Sequence, residues 1–378
     1  MSGADAPGRV GLGHDQRVAW LRLIRAENVG PATFRSLVNH FGSARDAIDA
    51  LPDLARRGGS RRVPSVPSVA EVEREIERTE KAGARIVTIG EPDYPAALRR
   101  LDSPPPVLTV KGGGASLAAR PAVAVVGSRN ASIPGIKMAD RIARGLSEEG
   151  LVVVSGLARG IDAAAHRASL AGGTMAVVAG GIDHVYPEEH APLVAEIVAA
   201  GGAIVTEMPF GWVPRAQDFP RRNRIVSGSA IAVVVVEAAA RSGTLHTARF
   251  AADQGREVLA VPGSPLDPRA EGTNRLIRGG ATLVTGIADI MESLASVLGR
   301  GLGGDGAAEP GAGDDTPIGV DDAARGLVLS ALGPVPTAID DLVLHTGLHP
   351  RVVSLVILEL DIAGRLERHG GQLVSLVG

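Results

Sequence analysis

Apolar residues recur at helical spacing between residues 16 and 57: Val18, Leu21 and Ile24 share one face of a first segment, and Phe34, Leu37, Val38 and Phe41 share one face of a second. Between them Asn28-Val29-Gly30-Pro31 combines a glycine that permits a tight turn with a proline suited to the first turn of a helix. The pattern predicts a small helical module over 16–60, preceded by a disordered tail over 1–15. Residues 58–68, GGSRRVPSVPS, read as a linker. A charged helix from Val69 to Ala82, a short strand from Arg85 to Ile89 and an extended connector from Asp93 to Pro106 follow.

From Pro121 the pattern changes to continuous apolar runs separated by amphipathic stretches. The runs are Val123 to Val126, Leu151 to Val154, Thr174 to Val178, Ala203 to Val205, Ile231 to Val236 and Val258 to Val261. Strands that do not alternate are buried on both faces, so the expected fold is α/β: an extended, Rossmann-like, doubly wound and mostly parallel sheet over 69–298, with its core at 121–290. Residues 299–319 are dominated by Gly, Ala, Pro and Asp and are expected to form a flexible linker. Over 320–378, helical patterns at Ala324 to Leu332, Ile339 to Thr346 and Pro350 to Ile362 precede two short strands around Gly370-Gly371, the order of a winged helix. Its candidate recognition helix, His349 to Ala363, carries one arginine and the two acids Glu359 and Asp361, which favours contact with protein, or only weak contact with DNA. The N-terminal pair of helices has the layout of a SAM or helix-hairpin-helix unit, a kind that touches DNA backbones; an ordinary two-helix cap would look the same.

Composition narrows the chemistry. With 45% hydrophobic and 21% charged residues in 378, the chain is long enough for two or three domains and is neither fibrous nor disordered overall. A formal net charge of -3 means that any affinity for nucleic acid must come from local patches. The absence of cysteine excludes disulfides, thiolate metal sites and cysteine nucleophiles and fits a reducing cytoplasm. Neither a leader pattern nor an apolar run long enough to span a bilayer is present, so a soluble cytoplasmic protein with no membrane contact is expected.

In open α/β sheets, ligands bind beyond the carboxyl ends of the strands, and each strand end here carries suitable groups. Gly127-Ser128-Arg129-Asn130 follows the first core strand, and Ser155-Gly156 opens a glycine-rich turn after the second. Gly180-Gly181-Ile182-Asp183 follows the third, and Arg241-Ser242-Gly243-Thr244 follows the strand that ends near Glu237. Just before the Ile231 run lies FPRRNRIVSG, where Arg221, Arg222, Asn223 and Arg224 form a basic cluster. Guanidiniums so close together are best tolerated around phosphates or carboxylates, although a solvated basic face has the same composition. Neither a G-x-G-x-x-G turn after the first core strand nor a G-x-x-x-x-G-K-[ST] loop occurs, so dinucleotide and P-loop readings lose their main support.

Five stretches together resemble the DNA-processing protein A family, also called DprA or Smf, over almost the whole chain. They are VGSRNAS at 126–132, SGLARGIDAAAH at 155–166, FPRRNRIVSG at 219–228, VEAAARSGTLHTA at 236–248 and VPG at 261–263. The resemblance implies a non-catalytic protein with no cofactor that binds and protects single-stranded DNA in natural transformation and recombination. It further implies loading of the recombinase RecA, competition with single-strand-binding protein for DNA, and dimerisation through the Rossmann-like domain. Matched to the family's pocket, Gly127, Ser128, Arg129, Gly156, Arg221, Arg222, Asn223, Arg224, Ser242, Gly243 and Thr244 are expected to bind phosphate. Many relatives carry a lysine shortly before the Phe-Pro pair; this chain has Arg215 there instead. With only 2% aromatic residues, binding should be led by phosphates and be steeply salt-dependent.

Other readings use the same residues. Phosphoribohydrolases resembling the LOG proteins share a phosphate loop, but the position of their catalytic glutamate is Thr247 here. A third possibility is regulatory binding of a free nucleotide in the same pocket. Asp183, His184, Glu188, Glu189 and His190 read as a polar helix entry before they read as a metal site, and Asp162 with His166 reads as a structural pair or part of a pocket wall.

Overall fold

The computed structural model describes residues 12–299 and 320–377, so residues 300–319 of the predicted linker and 1–11 of the predicted tail lie outside the described residues, while Gly299 and, from the predicted tail, His14 and Asp15 are helical. The chain forms two compact units. The larger takes in Glu75–Leu101 and the described part of Val107–Ala307; the smaller takes in Leu12–Arg74, Asp102–Pro106 and the described part of Ala308–Gly378.

The smaller unit begins with α1 (His14–Ile24), α2 (Pro31–Phe41) and α3 (Ala44–Arg57). Pro31 opens α2, Gly42 ends it at φ 76, and the Ser43 hydroxyl caps α3 by accepting from the Asp46 amide. Helix α4 (Val69–Lys81) follows.

The larger unit is built on a nine-stranded sheet. Strands β1 (Ala84–Thr88) and β2 (Val107–Gly112) form an antiparallel ribbon. The short helix α5 (Ala115–Ala119) then leads into an alternating series: β3 (Ala122–Val126), α6 (Ile133–Glu148), β4 (Val152–Ser155), α7 (Ile161–Ala168), β5 (Thr174–Val177), α8 (Ala191–Ala199), β6 (Ala203–Thr206), α9 (Asp218–Gly228) and β7 (Ala232–Val235). The series continues through α10 (Thr244–Asp253), β8 (Glu257–Ala260), α11 (Glu271–Arg278), β9 (Thr282–Leu283) and α12 (Ile287–Gly299). The strand order is β1-β2-β6-β5-β4-β3-β7-β8-β9, and every pairing from β6 to β9 is parallel. Residues of β3, β4, β5, β6 and β7 are buried throughout, as continuous apolar runs require. One core layer packs β3, β4 and β7 against α6, α7 and α12; the other packs β5 and β6 against α8.

From β3 the chain steps outward to β6, then returns to the other side of β3 as β7. This reversal is the switch point at which doubly wound sheets open a crevice. The N-terminal extension adds β2 antiparallel to β6, a strand that the sequence reading missed because Val107 to Gly112 lies among prolines and glycines that mask it.

The C-terminal part of the smaller unit comprises α13 (Asp322–Ala331), β10 (Thr337–Ala338), α14 (Ile339–Thr346), α15 (Pro350–Ile362), β11 (Leu366–His369) and β12 (Leu373–Leu376). Its sheet order is β10-β12-β11, a winged helix around Val328, Leu342, Val353, Val356, Ile357 and Leu360.

Candidate nucleic-acid interface

A cavity of about 700 Å³ opens at the switch point, over the carboxyl ends of β3, β4 and β7. The loop after β3 contributes Gly127, Ser128, Arg129 and Asn130, the loop after β4 contributes Gly156 and Ala158, and the loop after β7 contributes Arg241, Ser242, Gly243 and Thr244. Helix α9 lays Phe219, Arg222, Asn223 and Val226 along one wall.

Close backbone approach accounts for the glycines. A Cβ on Gly127 would come 2.6 Å from the Ile161 side chain, and one on Gly156 would meet the Arg222 guanidinium at 2.7 Å. Gly160 adopts φ 72 against the carbonyls of Ser128 and Arg129, which brings the two loops together. The Thr244 hydroxyl donates to the Gly127 carbonyl at 3.0 Å and ties the third loop to the first. Ser132 caps α6, and Glu237 accepts from both the Ser132 amide and its hydroxyl, so the start of α6 is already supplied with a carboxylate.

Helical geometry divides the basic cluster. FPRRNRIVSG lies in α9, where Phe219, Arg222, Asn223 and Val226 fall on the pocket face. Arg221 and Arg224, three apart on another face, converge on the buried carboxylate of Glu207, with Arg221 Nε 3.0 Å from Oε1 and Arg224 on Oε2. Arg215 stacks over the Trp212 ring at 4.7 Å, and its amide donates to Asp218. Of the residues expected to bind phosphate, the structure therefore brings nine to the cavity wall and leaves Arg215, Arg221 and Arg224 off it. The three guanidiniums are kept apart by the helix and by a shared glutamate, so phosphate is not needed to relieve their repulsion.

Arg222 is 7% exposed. It donates to the carbonyls of Gly156 and, at 2.5 Å, Val177. Burial lowers its pKa to about 10, with Asp162 acting in the opposite direction, so it remains charged at neutral pH. Asp162, also buried, accepts from the amides of Gly156 at 3.1 Å and Ala158 at 3.3 Å. Burial raises its pKa, and Arg222 and these amides oppose the rise. Arg222 and Asp162 thus form the rigid floor of the site. Arg129 and Arg241 are exposed on its rim.

His166 does not pair with Asp162. Its Nδ1 lies 2.7 Å from the Thr174 hydroxyl, whose proton goes to the Val153 carbonyl, so Nδ1 is the donor. Burial first, then the nearby His190 and Arg222, lower its pKa to about 3. The polar segment near Asp183 is likewise occupied: Asp183 accepts from the Gly211 amide, Glu189 forms a two-point ion pair with Arg159, and His190 bonds the Leu157 carbonyl.

A side pocket joins the cavity between Arg159, Tyr186, Pro187 and Phe219. Tyr186 and Phe219 meet edge to face at 5.4 Å, and Arg129 lies over the Phe219 ring at 5.5 Å. Arg241, His246 and this aromatic pair were not among the expected site residues. Arg241 stands one position before the expected Ser242 and had a signal in the sequence; Tyr186 lies three positions after the Gly180-Gly181-Ile182-Asp183 loop, but nothing in that stretch marks it as a partner for Phe219.

Three family models match the chain: DNA recombination-mediator protein A over residues 85–295, a DprA-like N-terminal HHH domain over 14–77 and a DprA winged helix domain over 310–372. Protein Smf of Synechocystis sp. is 31% identical over 396 residues, covering 95% of this chain and 98% of that protein. The X-ray structure of DNA processing protein A from Streptococcus pneumoniae superposes with a TM-score of 0.61 at 32% identity, over 75% of this chain and 98% of that one. The Helicobacter pylori protein, whose structure concerns a single-stranded DNA binding mode, superposes with a TM-score of 0.51 at 26% identity, over 57% of this chain and 96% of that one. A family model over more than half of the chain, a relative 31% identical along nearly its whole length, and a helical module, a mostly parallel sheet and a winged helix in the order of the three matching models establish that the chain belongs to the DNA recombination-mediator protein A family.

Proposed function

We propose that the cavity at the switch point seats backbone phosphates of single-stranded DNA, and that the chain handles DNA in transformation and recombination without chemical turnover. The observation that carries this reading is the convergence of three loop backbones with Arg129, Arg222 and Arg241 in one cavity of about 700 Å³. Guanidiniums and glycine-opened amides recognise phosphate without regard to base. The family adds the rest of the reading: loading of RecA, displacement of single-strand-binding protein, a homodimer through the sheet domain and a cytoplasmic setting. Among the described residues β9 is the last strand of the sheet, and Leu283 on it is 48% exposed, which supports the dimer. Thr247, buried in the cavity wall, brings a hydroxyl where a phosphoribohydrolase needs a carboxylate, which favours binding over hydrolysis. No helix among the described residues is long and apolar enough to cross a membrane.

The test is binding of fluorescent oligo-dT and of a duplex across a salt series. Arg129→Ala and Arg241→Ala should each weaken oligo-dT binding and flatten the dependence of log affinity on log salt by about 0.7. Loss of fewer than one contact's worth of slope in both variants, or no single-strand binding at low salt, removes the reading.

A further inference from the structure

In a winged helix that reads duplex DNA, the face of the recognition helix turned away from its own core enters the groove and carries polar side chains. Helix α15 differs. Val353, Val356, Ile357 and Leu360 face the winged-helix core. The outward stripe, Leu355, Leu358 and Ile362 at helical spacing, is aliphatic and buried as well, at 6%, 2% and 1% exposure. What covers it is the N-terminal module, since α15 packs on α3 and α2.

The contacts are specific and join residues more than 300 positions apart. The Thr33 hydroxyl, in the first turn of α2, donates to Asp361 at 2.6 Å, and Asp361 also receives Arg368 at 2.7 Å. Asn28, in the α1–α2 turn at φ 64, donates its side-chain amide to the Ile362 carbonyl at 3.1 Å. Arg365 donates to the Gly58 carbonyl at 3.0 Å. A Cβ on Gly58 would run into the Glu359 carbonyl and come 2.7 Å from the Ala363 Cβ, so only glycine lets α3 approach α15 this closely. Glu359, the other acid of the helix, is held by Arg325 at 2.8 Å and is not available to DNA or solvent.

We propose that this winged helix is a protein-docking clamp and not a duplex reader: the recognition helix binds the N-terminal module of its own chain through the Leu355, Leu358 and Ile362 stripe and joins the chain ends into one unit. The surface fits an apolar helical face flanked by a hydroxyl and a carboxamide, which is the chemistry that α2, α3 and the α1–α2 turn present. This does not depend on the phosphate cavity, which belongs to the larger unit.

The chain has no cysteine, so a single engineered pair reports the contact cleanly. In the full chain, Thr33→Cys with Asp361→Cys should form an intrachain disulfide under mild oxidant, seen as a faster-migrating monomer on a non-reducing gel. Affinity for oligo-dT and for duplex should change less than twofold between the locked and reduced forms. Crosslinked dimers in place of locked monomers would assign the docking to a second copy and overturn the cis clamp; a tenfold or greater loss of duplex binding on locking would make α15 a reader after all. A second variant guards against a pair that folds poorly. Leu358→Glu, which puts a carboxylate in the interface, should raise hydrogen exchange in α3 as well as in α15, and unchanged protection of α3 would equally reject the proposal.

Discussion

Arg222 and Arg224 stand two apart in the sequence and do different work. Arg222 holds the carbonyls of Gly156 and Val177 and balances buried Asp162, so Arg222→Met leaves that carboxylate without its cation. It also leaves two buried carbonyls without their donor; each buried polar group left unsatisfied costs about 1–3 kcal/mol, and urea unfolding should show a loss of that order or more. Arg129→Ala, on the rim, should unfold like the parent protein while losing affinity. His166 gives a pH signature. Its folded-state pKa of about 3 lies below its ordinary value near 6.5, so the unfolded chain takes up a proton that the folded one refuses. Stability from this group is therefore complete above pH 6.5 and is lost as pH falls toward 3, at about 1 kcal/mol per pH unit between 6 and 5. Urea midpoints of the parent chain and of His166→Gln, compared across pH 7 to 5, should diverge at neutral pH and converge on acidification. Parallel curves would place the proton elsewhere.

At the scale of elements, the division of labour follows from periodicity. As a string, FPRRNRIVSG is a knot of charge; as a helix, it presents Phe219, Arg222, Asn223 and Val226 to the cavity and turns Arg221 and Arg224 to Glu207. The sequence shows the composition of this segment, but Glu207 lies 14 positions before Arg221 at the end of another strand, and nothing local announces the pairing. The buried strands were legible because short continuous runs of Val, Ala and Ile, such as Val123 to Val126 and Ile231 to Val236, leave neither face of a strand fit for water. Strand β2 and the two-residue β9 were not, because β2 follows a proline run and β9 is too short to carry a period. The loops were legible on separate grounds: glycine is demanded wherever one backbone crosses close to another. Gly127→Ala tests that logic, since its Cβ would press on Ile161 at 2.6 Å and move the loop that carries Ser128 and Arg129. Affinity for oligo-dT should fall with that shift, and a variant that binds as the parent does would show that the loop position is not what the cavity needs.

The whole molecule is organised by contacts that no window of sequence contains. Read along the chain, the N-terminal helices and the winged helix are separate modules at opposite ends; in three dimensions they share one unit, sealed by Gly58, Thr33 and the outer stripe of α15. The sequence held a hint in the aliphatic outer face of that helix, which no DNA reader needs, but the identity of the covering surface is set more than 300 residues away. Two units with separate cores should unfold as two cooperative transitions. Gly58→Leu forces α3 off α15 and should lower the transition of the smaller unit alone, by several degrees, with the N-terminal helices and the winged helix losing exchange protection together. Arg222→Met should lower the other transition and leave this one in place. Because the switch-point cavity is built wholly from the larger unit, Gly58→Leu should keep oligo-dT affinity within about twofold while its smaller unit is already melting, a separation that calorimetry and fluorescence anisotropy on the same sample can read. If instead both transitions shift with either substitution, the two cores are energetically coupled, and the terminal unit must be counted among the determinants of DNA binding.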